Sequence, residues 1–478
     1  MAHILDGGIR RRDEAACEHD YWPYTTRVLP WAICGFLFML WLIPFDSTVL
    51  PIALPVDARL DRIALVALGA IWLPVVATIG ISRQRLAPNG ITLALGAFLL
   101  AALLSISTNA ETLANLTEIS PALKQVVLLV SYSAFYIVVA TTIRPPEVPR
   151  YIKLTIGLAC VAALGTIWQY RTGHDIFYEW TTALLPGAFH VEPPPVASDL
   201  YGRATIGGPT LHGLAITTIL GMMLPFALMT TVTTTVTKQR LFGVVATTLL
   251  VAGAAATLRK TALIVPAVAV LVLFLYRPRM MVKAAPLGVA IVLMVQILSP
   301  GAISTIRSEF VNGLANSGST QDRQNDYPAV MPDILDKPAL GRGFGSYDSH
   351  KYRVLDNQYL GLTVETGAIG VATYVVLLAS VGIAAHRAAR SREKQWAVAA
   401  VAATAAFAVS NLLFDALAFP QAPYVFLFIA ALVTATTLRP SIRDGEGARW
   451  TKVPLPHHAH EPSGATEINR YRGAEGVP

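Results

Sequence analysis

Charge and cysteine are what this chain has least of. Only 14% of its 478 residues are charged while 54% are hydrophobic, and the mean hydropathy of +0.52 lies outside the balance of a soluble globular chain of this length. Cys17, Cys34 and Cys160 are the only three cysteines. They leave no pair in one loop and no ligand spacing, which argues against a disulfide framework or a thiolate metal site. No repeat of fixed period occurs, and no inverted pair of interrupted apolar segments of the kind transporters use. A cleavable leader is not expected, because the opening 26 residues are polar and the first apolar run lacks a small-residue cleavage site.

What the chain does have is apolar runs long enough to cross a bilayer, recurring almost throughout. About twelve are legible, at 28–44, 63–81, 91–107, 123–143, 152–169, 208–236, 241–258, 261–276, 284–299, 362–385, 396–414 and 421–438. The expected fold is therefore all-α, a polytopic membrane protein with a large extracytoplasmic loop before the last three helices. Five parts are expected: a cytoplasmic tail at 1–27; helices one to nine over 28–299; the loop at 300–361, carrying a small helical cap; helices ten to twelve over 362–438; and a disordered cytoplasmic tail at 439–478. In that tail His457, His458 and His460 read as solvated residues, so neither a metal nor a cofactor is expected.

Lys and Arg set the orientation, since cytoplasmic loops retain them. Arg10, Arg11, Arg12 and Arg27 precede the first run, and Arg83, Arg85, Arg144, Arg150, Lys153, Lys238, Arg240, Arg277, Arg279, Lys283, Arg387, Arg390, Arg392 and Lys394 fill every second loop. Both termini are thus expected in the cytoplasm. The bias accounts for the net charge of +7, so no nucleic-acid partner is inferred.

Two outward loops are long, at about 170–207 and 300–361. Loops of that length usually carry function. The second mixes Phe310, Tyr327, Ile334, Leu335, Phe344 and Tyr347 with Pro and Gly, which predicts a small folded cap with a helix around Arg323 to Leu335. Against the general rule, the outward side also gathers cations: Arg203, Arg259, Lys260, Arg307, Arg323, Lys337, Arg342, Lys351 and Arg353. TLRKTALIVP places Arg259 and Lys260 between hydrocarbon segments, where a partner is expected; the alternative is a pair of snorkelling anchors.

Arg203 with GGPTLHG (207–213), Arg259 in LRKTAL, Arg323 four residues before Tyr327, KPALGRGFGSY (337–347) and DNQYLGLTVETGAIG (356–370) come in an order that resembles the O-antigen ligase and polymerase superfamily. The resemblance covers roughly 200–385 and is topological elsewhere. It implies a bacterial cytoplasmic-membrane enzyme that moves a glycan from a polyprenyl-diphosphate carrier to a glycan or lipid acceptor outside the membrane, with other polysaccharide-assembly proteins as possible partners. One departure stands out. The ligases carry His immediately before the Asn of the N-x-Y-L stretch, whereas this chain has Asp356 before Asn357, which favours a polymerase or exopolysaccharide transferase over a lipid ligase.

The chemistry implied is specific. A diphosphate leaving group suits Arg, whose planar fork binds phosphate oxygens in bidentate fashion, so Arg259 and Arg323 come first, with Arg203 and Lys260 behind. The acceptor hydroxyl needs a base; Asp356, His350 and His212 are the candidates, and Asp356 as a plain helix N-cap is the competing reading. Asn357, Tyr359 and Glu365 complete the candidate substrate-binding set. Glu365 paired with a neighbouring Arg, Tyr359 as a membrane-interface residue and Trp180 as an interface anchor are the blander readings. A transporter or flippase for an anionic substrate, and a non-catalytic subunit of a polysaccharide machine, are the competing classes.

Overall fold

The computed structural model describes residues 28–51, 58–79, 88–185, 187, 189–191, 205–302, 304, 318–349, 351–390 and 395–437. The expected terminal tails, Arg203 and His350 lie outside them, as does the side chain of Arg323.

Each of the twelve expected apolar runs falls on a helix: α1 (Val28–Leu42), α2 (Leu60–Ile79), α3 (Gly90–Thr108), α5 (Ile119–Thr142), α6 (Val148–Thr172), α8 (Gly213–Thr233), α9 (Thr237–Ala256), α10 (Thr261–Tyr276), α11 (Pro278–Leu298), α13 (Gln358–Ala389), α14 (Trp396–Ser410) and α15 (Gln421–Thr437). Eight of these are long and apolar enough to span a membrane, and α1, α10, α14 and α15 are shorter apolar helices. Among the described residues, three α-helices lie between the spans: α4 (Ala110–Asn115), α7 (Ile176–Leu184) and α12 (Gly318–Asp336), the last being the helix expected around Arg323 to Leu335. A small antiparallel sheet, ordered β2-β1-β3, ties Thr48–Leu50 (β1) to Ala58–Arg59 (β2) and to His190–Val191 (β3).

Lipid offers no hydrophobic drive between apolar helices, so close packing of small residues has to hold them together. Helices α8 and α15 form the centre: 89% of the α8 apolar window is buried, against 11% for the peripheral α11, and in α15 every residue from Gln421 to Thr436 is buried. Gly221 of α8 lies against Val265 of α10, and Gly253 of α9 lies against Ala163 of α6 closely enough that a Cβ would stand 2.7 Å from the Ala163 methyl. Threonines inside the spans satisfy themselves: Thr217, Thr231 and Thr247 each donate to the carbonyl four residues back.

Helix α13 is broken. Gly367 adopts φ 61°, ψ −165° inside it, and the chain from Pro338 to Gly343 plugs the gap. Arg342 and Gly343 amides donate to the Val364 and Glu365 carbonyls, while Ala368 and Ile369 amides donate to Pro338 and Ala339. Backbone freed within a span must be satisfied by protein, and here another motif of the same chain does so. The two sides leave no room for side chains. A Cβ on Gly341, itself at φ 66°, would meet the Glu365 carbonyl carbon at 2.3 Å, and one on Gly367 would meet that of Ala339 at 2.4 Å. Gly341→Ala is therefore expected to destabilise the protein by about 3 kcal/mol, seen as a lower melting temperature in detergent.

Candidate functional site

Hydrogen bonds collect the ends of the helices that carry the sequence motifs at one end of the bundle. Ser105 Oγ at the close of α3 donates to the Glu365 carbonyl at 2.6 Å, and Asn109 Nδ2 donates to the Gly341 carbonyl at 3.0 Å. Lys337 Nζ returns to Asn109 Oδ1 at 2.7 Å. Before α5 stands Glu118, with a side chain only 3% exposed; it accepts from Arg342 at 3.0 Å, Lys351 at 2.7 Å and Tyr352 at 2.5 Å. Helix α12 then seats on α13 through Val330, Leu355, Leu360 and Val364, with Arg353 Nε to Asp326 Oδ1 at 2.8 Å.

Burial raises the Glu118 carboxyl, but bonds from Lys351 and Tyr352 and the Arg342 charge outweigh it and hold the group below its usual value. A depressed carboxylate stabilises the fold above its unfolded value, near 4.5, and that contribution is lost as pH falls through the folded value. Glu118→Gln leaves Arg342 without its buried partner. The expected cost is roughly 3 kcal/mol near neutrality, shrinking as the wild type is titrated below pH 4, and thermal melts across pH would show it.

The first of two reactive-looking groupings is built on GGPTLHG. Gln169 Oε1 accepts the Gly207 and Gly208 amides at 3.2 and 2.9 Å, and Gln421 Nε2 reaches the Pro209 carbonyl at 3.4 Å. His212 emerges as the residue before α8, its ring stacked on Phe419 at 4.3 Å. Its Nδ1 is buried with no hydrogen-bond partner among the described residues. Burial, then the charge of Arg259, pushes His212 down to about 4, so the imidazole is neutral at physiological pH and a poor proton acceptor. The Arg259 stem crosses Gly213, as a Cβ there would lie 3.3 Å from its Cγ. Lys260 follows in the same turn, at the start of α10.

The second grouping surrounds the start of α13. The competing reading of Asp356 as the helix cap is corrected here: the cap is Asn357, whose Oδ1 accepts the Tyr359 and Leu360 amides at 3.0 and 3.2 Å. Asp356 precedes it, half-buried. Two residues on, Gln358 grips the α14–α15 loop; its amide donates to the Asn411 carbonyl at 2.8 Å and its Oε1 accepts the Leu417 amide at 2.7 Å. That loop holds Asp415, which was not among the sequence candidates. Burial, then the Asp356 charge, pushes Asp415 up to about 6. The loop ends at Phe419, under His212, so it touches both groupings. A lone acid in NLLFDALAF, between two apolar runs, was the sequence signal available.

The other candidates settle into supporting places. Tyr359 directs its hydroxyl to the Ala408 carbonyl at 2.8 Å, joining α13 to α14. Glu365, at the helix break, accepts the Tyr347 amide at 3.2 Å, whereas the guanidinium of Arg342 bonds Glu118 and Tyr352. Trp180 is 54% exposed on α7.

These features define a class: a multi-pass helical membrane protein whose ionisable groups meet at one end of the bundle, around an Arg–His turn and a carboxylate pair. Residues 244–375 match the family model described as O-antigen ligase, which supports membership of the O-antigen ligase and polymerase superfamily. The matched stretch includes Arg259, Arg323 and Asp356 through Glu365, and stops before Asp415. A comparison with curated proteins gives no match.

Proposed function

We propose that this protein is a membrane glycan transferase that polymerises or transfers polyprenyl-diphosphate-linked oligosaccharide units at the extracytoplasmic face of the bacterial cytoplasmic membrane. One observation carries the reading: the α14–α15 loop brings a base-like carboxylate, Asp415, and the Arg259–His212 turn onto a common scaffold. Arg259, with Lys260 and Arg323, neutralises the diphosphate. The acceptor hydroxyl gives its proton to Asp415 as its oxygen bonds the anomeric carbon; the bond from that carbon to phosphate breaks, and the polyprenyl diphosphate leaves with the electron pair. Burial and then the charge of Asp356 keep Asp415 basic, and Asp356, with Asn357, faces the acceptor. A carboxylate near pKa 6 is mostly ionised at pH 7 yet far more basic than a solvated aspartate.

The break in α13 is the feature that favours a transporter, but its free backbone groups are filled by 338–343 of the same chain. The deciding experiment is deletion of the gene, followed by analysis of lipid-linked glycans. Accumulation of a single lipid-linked repeat unit identifies a polymerase and accumulation of full-length chains a ligase; an unchanged profile on the extracytoplasmic side overturns the reading.

A further inference from the structure

Backbone strain in this protein is placed selectively. Among the described residues, the only non-glycine residues with positive φ are Thr117, Leu211 and Leu258, at 58°, 56° and 57°, and each immediately precedes an ionisable residue of the motif-bearing end: Glu118, His212 and Arg259. Leucine resists this region because its Cβ crowds the following carbonyl, so the surrounding structure has to enforce it. Beside Leu211 and Leu258, the start of α8 and the end of α9 are tied together. Thr217 of α8 and Thr257 at the end of α9 are fully buried, and their hydroxyl oxygens lie 3.0 Å apart. Thr217 also reaches the Gly213 carbonyl at 2.7 Å, and Thr257 the Ala254 carbonyl at 2.7 Å. One of the two hydroxyl protons goes to the other threonine and ties the start of α8 to the end of α9, while the second goes to a carbonyl of its own helix.

The consequence falls on Arg259. The left-handed turn at Leu258 folds the arginine back over α8, where Gly213 leaves a bare backbone face for its stem. A Cβ on Gly213 would stand 3.3 Å from Arg259 Cγ, 3.4 Å from Nε and 3.0 Å from the Ile206 carbonyl oxygen. The guanidinium is thereby held beside His212, whose ring loses basicity to burial and then to that charge.

We infer that Gly213, Leu258 and the Thr217–Thr257 pair are positioning residues that pre-aim Arg259 at a diphosphate, so that affinity for the anion depends on this turn geometry as well as on charge. The inference rests on the reading of Arg259 as the diphosphate ligand. Pre-aiming matters because a long, freely rotating arginine loses much side-chain entropy when it binds, and one held by its neighbours loses less.

The test uses full-length protein in detergent, with inorganic pyrophosphate as the probe and calorimetry as the measurement. Gly213→Ala and Thr217→Val are each expected to weaken pyrophosphate binding about tenfold, a loss typical of one charge-assisted hydrogen bond. Thr217→Ser, which keeps the hydroxyl, restores affinity. Thr230→Val removes a hydroxyl that donates within α8, to the Phe226 carbonyl, and leaves affinity at the wild-type value. A merely structural role would lower the amount of folded protein without changing the dissociation constant of what remains. If Gly213→Ala fails to fold, the comparison of Thr217→Val with Thr217→Ser decides. Wild-type affinity in the folded positioning variants, with binding abolished in Arg259→Gln, overturns the positioning inference and leaves the diphosphate reading standing. Wild-type protein that does not bind pyrophosphate, or Arg259→Gln that binds it unchanged, overturns both.

Discussion

Asp415→Asn is expected to lower glycan transfer by a factor on the order of 10² to 10⁴, the range general-base losses occupy, while making the protein more stable at neutral pH. The two effects share one cause. Burial and the Asp356 charge raise this carboxyl from its usual 3.8 to about 6. Between those values the folded protein keeps a proton that the unfolded chain has lost, so folding stability falls as pH rises through the window and stays lower above it. A rise of roughly two units corresponds to up to about 3 kcal/mol, which the neutral amide no longer forfeits. Activity of the wild type should climb with pH through about 6 as the base ionises. Asp356→Asn removes the repulsion and should shift that limb to lower pH with a smaller loss of transfer. Activity assays and thermal melts of both variants across pH 4.5 to 8 check all of this. Full activity in Asp415→Asn would remove the base from this position.

Arg259→Lys carries the second large effect, a loss of tenfold or more in kcat/KM for the lipid-linked donor. Lysine keeps the charge but not the fork that engages two phosphate oxygens, and a charge-assisted hydrogen bond is worth roughly 1.5 to 3 kcal/mol, or one to two powers of ten. The control is Arg171→Lys, on the exposed last turn of α6, which should be nearly silent. Turnover has to be normalised to folded protein in the membrane. Normal turnover at wild-type abundance would make Arg259 an anchor and remove the diphosphate from this turn.

Glu118 and Asp415 show why the sequence candidates were incomplete. Neither sits in a motif: Glu118 is a single acid between α4 and α5, and its meaning comes from Arg342 and Lys351, which lie over two hundred residues away. GRGFG was legible as a set of turns, but the role of its glycines follows only from their insertion into the break at Gly367.

Hydropathy and helical caps act over one or two turns of chain, so the apolar runs, their order, and the clustering of cations in alternate loops were determined by the sequence alone. The cap of α13 is just as local a feature, yet the sequence offered Asp356 for it, and only the structure shows Asn357 bonding the amides two and three residues ahead. Proton affinity is different in kind. It depends on desolvation and on charges brought close by folding: burial and then the Arg259 charge lower His212, while burial and then the Asp356 charge raise Asp415, on a loop held where Gln358 bonds Leu417, 59 residues further along the chain. Which acid is fit to take a proton was therefore decided by the tertiary structure, since an aspartate in an unfolded chain is like any other until burial and a like charge set it apart.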